Sequence, residues 1–201
     1  MNPRSKIKSP NIIEPDILLA AYASGYFPMA ESRKGEIQWF SPNPRAIIPL
    51  DRFIISRSLR LTLKKNPFEI RIDTAFENVM RACAERKDTW ISEDIVQSYL
   101  ELHRRGFSHS VETWKEKKLV GGLYGVTLGS AFFGESMFSI TRDASKVALV
   151  HLVERLREKN FELLDTQFIT PHLARFGTIE IAREEYLVLL SKAIQKRRVF
   201  L

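Results

Sequence analysis

HSVETWKEKKLVGGLYGVTLGSAFFGESMFS, residues 109–139, is the stretch that decides the fold. Three runs, HSVETWKE, KLVGGLYGV and AFFGESMFS, are parted by turn formers at Lys117–Lys118 and Gly129–Ser130. This spacing predicts three antiparallel strands joined by short turns. Side chains of an extended strand alternate between two faces. In the third run, Phe133, Glu135 and Met137 are therefore expected on one face, with Phe132, Ser136 and Phe138 on the other. A carboxylate in such a run is costly unless it is paired or used. Two readings stand: Glu135 pairs with a core Arg or Lys, or it lines a pocket whose ligand has an apolar and a charged part.

Outward from this meander the chain stays regular. FEIRID (68–73) reads as a strand, and Thr74 is expected to cap the helix AFENVMRACAER. SEDIVQSYLELHRRG reads as a second helix, with Ser92 as N-cap, Glu93 and Asp94 in the first turn, Arg104 and Arg105 in the last, and Gly106 as the stop. After the meander come a helix over 144–159 with a strong apolar stripe, the strand ELLDTQF, the short helix PHLARFG, the short strand TIEIAR and a final helix, REEYLVLLSKAIQKRR. The order defines an α+β fold, a mixed and largely antiparallel sheet with helices on both sides. The first 50 residues differ, holding seven of the nine prolines. One short helix is expected there, capped by Asp16 and ended by Gly25, followed by irregular backbone rich in aromatics and turn formers. Residues 1–60 are expected to form a small basic N-terminal domain and residues 61–201 the main domain.

With 201 residues, 44% of them apolar, the chain can bury a sizeable core. No run of 18 apolar residues occurs and no apolar segment follows MNPRSKIKSP, so neither a membrane span nor a signal peptide is expected. Cys83 is the only cysteine and no HExxH occurs. No disulfide and no metal site are expected, and the cytoplasm is the expected compartment. The net charge of +7 is uneven: residues 1–68 hold 11 Lys and Arg against 5 acids, the rest 20 against 19. Such asymmetry favours a polyanionic partner, nucleic acid first and a membrane surface second, over a merely soluble basic protein.

Three stretches could carry chemistry. In ELLDTQF, Leu163, Asp165 and Gln167 share a face, and an acid beside an amide invites a mutual hydrogen bond that would fix the Gln for positioning a nucleophile. The alternative is an edge strand with polar residues facing water, against which stand the flanking Leu164 and Phe168. IQWFSPNPRA combines Trp39, Phe40 and Arg45, and TWIS adds Trp90. Aromatics near basic groups can stack on unpaired bases, or they are ordinary core residues. In SITRDASKVAL, a loop leading into a helix, Arg142, Ser145 and Lys146 could hold a phosphate, or Asp143 or Ser145 simply caps the helix.

The element order is that of the acyl-transferring N-acetyltransferase superfamily, so an acetyltransferase-like sheet is expected. Coenzyme A-dependent members of that superfamily carry a glycine-rich cradle where this chain has ITRDASK, which argues against coenzyme A. GYFPM (25–29), WFSPNPRA (39–46), TWI (89–91), LHRRGFSHSVE (102–112), LVGGLYGV (119–126), FFGESMFS (132–139), DASKVAL (143–149) and LLDTQF (163–168) together resemble the leucyl/phenylalanyl-tRNA–protein transferase family. The resemblance implies transfer of Leu, Phe or Met from aminoacyl-tRNA to the α-amine of proteins beginning with Arg or Lys, marking them for degradation, with no metal or coenzyme. It implies that Asp165 polarises Gln167, which contacts the amine, and that Glu135 helps bind and orient the aminoacyl end. Leu123 and Met137 would line the aminoacyl pocket, Trp39, Phe40 and Trp90 would hold the terminal adenosine, and Arg45, Arg142, Ser145 and Lys146 the tRNA phosphates. Phe40 stands where some relatives have Trp, and Leu123 where others have Met. A cytoplasmic monomer is expected. The rival readings are a coenzyme A-dependent acetyltransferase, against which the missing glycine cradle counts, and a non-catalytic RNA-binding module.

Overall fold

The structure is a computed structural model that describes residues 12–86 and 88–201. Arg4, Lys6 and Lys8, part of the basic excess, and the start of the N-terminal unit lie outside the described residues. The expected meander forms as β5 (Ser108–Lys115), β6 (Lys118–Leu128) and β7 (Ala131–Ser139). Before it come β4 (Glu69–Ile72), α3 (Phe76–Ala84) and α4 (Glu93–Arg104); after it come α5 (Ala144–Glu158), β8 (Leu163–Gln167), α6 (Pro171–Ala174), β9 (Ile179–Ile181) and α7 (Arg183–Ile194).

Residues 12–60 are more ordered than expected. They hold α1 (Pro15–Ala23), a hairpin of β1 (Phe27–Ala30) and β2 (Ile37–Phe40), β3 (Arg45–Ile47) and the start of α2 (Arg57–Lys65). α1 starts at Pro15 with Glu14, not Asp16, at the N-cap. Proline suits the first helical position because its fixed φ is already helical and its missing N–H has no partner to lose. Ser92 caps α4 as expected, accepting from the Ile95 N–H at 3.3 Å. Thr74 does not cap α3. Its hydroxyl donates instead to buried Glu112 on β5, which also accepts from the Ala75 N–H at 2.7 Å, Ser110 Oγ at 2.9 Å and Trp114 Nε1 at 2.9 Å.

Seven strands form one sheet in the order β4-β5-β6-β7-β8-β3-β9, and β7–β8 is its one parallel pair among the described residues. β3 thus takes a place between β8 and β9, so the composition boundary near residue 60 does not coincide with an edge of the sheet. Helices cover both faces. On one, Tyr22, Met80, Tyr99, Tyr124, Phe133 and Phe138 share a core; on the other, Leu123, Phe132, Leu149, Leu152 and Leu164 do. The second core admits α5 closely: a Cβ on Gly121 would lie 2.5 Å from the Cβ of Ala144. Among the described residues no helix is long and apolar enough to cross a membrane.

Candidate active site

The strict alternation expected of β7 does not hold. Its register against β6 shifts between Tyr124 and Gly125: Tyr124 faces Ser136, but Gly125 faces Gly134, so Glu135 is the extra residue of a β-bulge. A one-residue bulge exchanges the faces of everything beyond it. Phe133 and Phe138 therefore pack in the core with Tyr22 and Tyr99, while Phe132 and Met137 pack on the α5 side. Met137 comes opposite Leu123, so these two do meet. The bulge requires Gly125, where a Cβ would lie 2.3 Å from the Phe133 carbonyl oxygen.

β7 and β8 pair only over Ala131–Phe133 and Leu163–Asp165. Beyond that point the bulge turns one strand away. Gln167, at φ 60° in the left-handed region, turns the other. The strands part over a cavity of about 810 Å³. Leu123, Met137, Leu149, Leu152, Leu164 and Leu173 line an apolar arm; Glu85, Arg86, Trp90, Tyr124, Glu135 and Ser136 line a polar one. Gln167 lies on its wall.

Glu135 has found partners the sequence reading did not name. Oε1 accepts from Tyr22 O–H at 2.7 Å and from Gln167 Nε2 at 3.5 Å, the long end of the hydrogen-bonding range; Oε2 accepts from Tyr99 O–H at 3.2 Å. The two tyrosine oxygens also lie within hydrogen-bonding distance of each other, so their two protons are shared among three contacts. Burial pushes the Glu135 carboxyl up to about 7, even though the Tyr22 and Tyr99 bonds pull it down. Tyr22 and Tyr99 themselves are pushed well above the usual phenol value, first by burial and then by the Glu135 charge. Their signal was present in the sequence: each stands among apolar residues of a helix, and a buried tyrosine hydroxyl needs a partner.

Asp165 and Gln167 come together, though through the backbone. Asp165 Oδ1 accepts the Gln167 backbone N–H at 2.9 Å and Arg45 Nε at 3.0 Å, while Oδ2 accepts Arg45 Nη2 at 2.6 Å and Tyr186 O–H at 2.8 Å. Arg45, expected on a phosphate-binding surface, is 0% exposed and forms a bidentate pair with the equally buried Asp165. Its third nitrogen donates to the Gly25 carbonyl at 3.0 Å. Four donors fill the four lone-pair positions of the Asp165 carboxylate.

Trp90 lines the cavity. Trp39 and Phe40 are exposed on β2 outside it, Phe40 joined to the rim by stacking on Phe27, with ring centroids 6.2 Å apart. Ser145 lines the cavity and its N–H donates to Ser139 Oγ at 3.2 Å. Arg142 and Lys146 lie elsewhere. Lys146 bonds Asp143 at 2.6 Å, and the Arg142 side chain, 90% exposed, flanks a shallow depression shared with Lys65 of α2.

The cavity sets an apolar lining beside an acid whose carboxyl burial pushes up to about 7, an arrangement that a group-transfer enzyme can use. The family profile described as leucyl/phenylalanyl-tRNA protein transferase matches residues 47–191, and the profile of that family's N-terminal domain matches residues 11–43. Relatives named leucyl/phenylalanyl-tRNA–protein transferase include one from Herpetosiphon aurantiacus, 57% identical over 94% of this chain and 98% of its own length. Another, from Paramagnetospirillum magneticum, is 55% identical over 92% of this chain and 91% of its own. The chain belongs to the leucyl/phenylalanyl-tRNA–protein transferase family. Among solved structures, L-PGS from Bacillus licheniformis reaches a TM-score of 0.42 at 16% identity over 81% of this chain and 56% of that one, too distant a likeness to carry an argument.

Proposed function

We propose that the chain moves leucine, phenylalanine or methionine from aminoacyl-tRNA to the α-amine of proteins beginning with Arg or Lys, with Glu135 as the proton acceptor. One observation carries the assignment of roles: the Gln167 side chain bonds Glu135, while the Asp165 carboxylate is filled by Arg45, Tyr186 and the Gln167 backbone. Asp165 is a positioning residue that fixes Gln167 at its positive φ. The aminoacyl side chain occupies the apolar arm at Leu123 and Met137, where a flexible methionine accommodates more than one shape. The terminal adenosine stacks on Trp90, Trp39 and Phe40 at the rim.

An α-amine titrates near 8 and attacks only when neutral. Its nitrogen, held by Gln167, attacks the ester carbonyl and forms the C–N bond. Glu135 takes the proton this nitrogen must lose and returns it to the ribose oxygen as the C–O bond breaks. Starting from the ammonium form, one proton is released to solvent per turnover. An acid near 7 facing an amine near 8 keeps this exchange close to balanced.

An acetyltransferase-like fold is part of this reading, supported by the one parallel strand pair and its parting at the cavity. Residues 1–60 supply the aromatic rim and residues 61–201 the aminoacyl pocket, a division of labour in a cytoplasmic, monomeric enzyme. Arg142, Lys146 and the exposed cations of α2 face tRNA phosphates. The test is transfer of radiolabelled leucine from Leu-tRNA to a peptide beginning with Arg, with an acetyl-blocked copy as control. Label should pass only to the free-amine peptide, and Gln167→Ala should lower turnover at least tenfold, on the scale of about 10²–10⁴ that a positioned proton-transfer group contributes. Label on the blocked peptide, or near-wild-type turnover of the variant, would overturn the reading.

A further inference from the structure

The acceptor in this reading carries a second charge, on the side chain of its first residue, and something in the cavity must recognise it. Among the described residues two carboxylates line the cavity, Glu135 and Glu85. Glu135 is committed to Tyr22, Tyr99 and Gln167 at the reacting end. Glu85 is exposed at the end of α3, and no described side chain forms an ion pair with it. Its neighbour Arg86 is turned onto β7, where it donates to Ser136 Oγ at 3.0 Å and to the Met137 carbonyl. That anchor places the end of α3 against Ser136, the residue next to Glu135. An acceptor with its α-amine at Glu135 and Gln167 can therefore run its own side chain along the polar arm towards Glu85.

We propose that Glu85 binds the cationic side chain of the acceptor's N-terminal residue and sets the enzyme's preference for Arg and Lys. The proposal rests on the transfer reaction above. Its place at the rim makes it an electrostatic selector that leaves the chemical step alone. A charged pair there is partly solvated, so its effect is moderate, about five- to tenfold.

The experiment measures transfer of leucine to two peptides differing only at the first residue: arginine, or citrulline, its uncharged near-isostere. The readout is the ratio of their kcat/KM values, which cancels differences in folding and in aminoacyl-tRNA binding. Wild type should favour Arg about five- to tenfold or more. Glu85→Gln should bring the ratio near one through a raised KM for the Arg peptide, with kcat and the KM for Leu-tRNA unchanged, and Glu85→Asp should restore part of the preference. An unchanged ratio in Glu85→Gln overturns the proposal while leaving the reaction intact. No transfer to the Arg peptide by wild type would overturn the reaction itself.

Discussion

Two acids on consecutive strands, Glu135 on β7 and Asp165 on β8, differ because of what surrounds them. Asp165 meets a guanidinium, a phenol and a backbone N–H, and all four of its lone-pair positions are occupied. Glu135 meets phenols and an amide, and the charges of Asp165 and Arg45 act on it in opposite directions, so burial dominates and pushes its carboxyl up to about 7 from the ordinary 4.5. Two consequences follow for Glu135→Gln. The limb of the kcat/KM profile that ionises near 7 should vanish, leaving only that of the acceptor amine near 8, with turnover lowered about 100-fold. Stability should change in the opposite direction. The folded protein binds this proton more tightly than the unfolded chain, so the contribution is fully present below about 4.5 and is lost as pH rises towards 7. The glutamine variant keeps it, and should be more stable than wild type by about 1–2 kcal/mol at pH 8, a difference that shrinks towards pH 4. That range lies below the full linkage value because Glu135 faces a solvated cavity. Urea unfolding at both pH values measures it. A pH-independent difference would show that another group owns the titration near 7.

Periodic elements were legible and aperiodic ones were not. The meander declared itself by turn formers between apolar runs, α4 by Ser92 and its charged ends, and α5 by its apolar stripe. β1, β2 and β3 have only three or four residues each, set among prolines, so neither period had room to show. The bulge was hidden for a different reason: alternation arguments assume an unbroken period, and one extra residue falsifies every facing beyond it. Glycine inside a strand is the usual sign of a bulge, and Gly125 and Gly134 were both there to be read. Arg45 misled because a surface phosphate ligand and a buried carboxylate partner look alike in sequence. The bulge makes the site testable at the level of the element. Gly125→Ala places a methyl within 2.3 Å of the Phe133 carbonyl and 2.4 Å of the Phe132 ring, both in the tightly packed sheet. The strain should cost about 1–3 kcal/mol and displace Glu135, lowering turnover at least tenfold. Gly134→Ala, whose nearest contact would be 3.5 Å, is the control and should change both far less. Equal effects of the two substitutions would mean that the bulge does not position Glu135.

The molecule as a whole is tied together through its site. Tyr22 on α1 bonds Glu135 on β7, Arg45 on β3 bonds Asp165 on β8, and β3 completes the sheet between β8 and β9. Every one of these links crosses residue 60, where composition and charge change. The N-terminal segment contributes side chains to the core of the main body, so the two should unfold as one cooperative unit. Far-UV circular dichroism, which reports chiefly on the helices, should lose its signal at the same urea concentration as tryptophan fluorescence, to which Trp39 of the N-terminal segment contributes. Arg45→Met sharpens the test. It leaves the Asp165 charge buried without its cation, at a cost of about 3–5 kcal/mol. Under one cooperative transition both probes should shift to lower urea together. If the segment instead folds by itself, the fluorescence transition should separate from the dichroism one in this variant. Separated transitions would make residue 60 a folding boundary and would reduce the Arg45–Asp165 pair to a contact between independent parts.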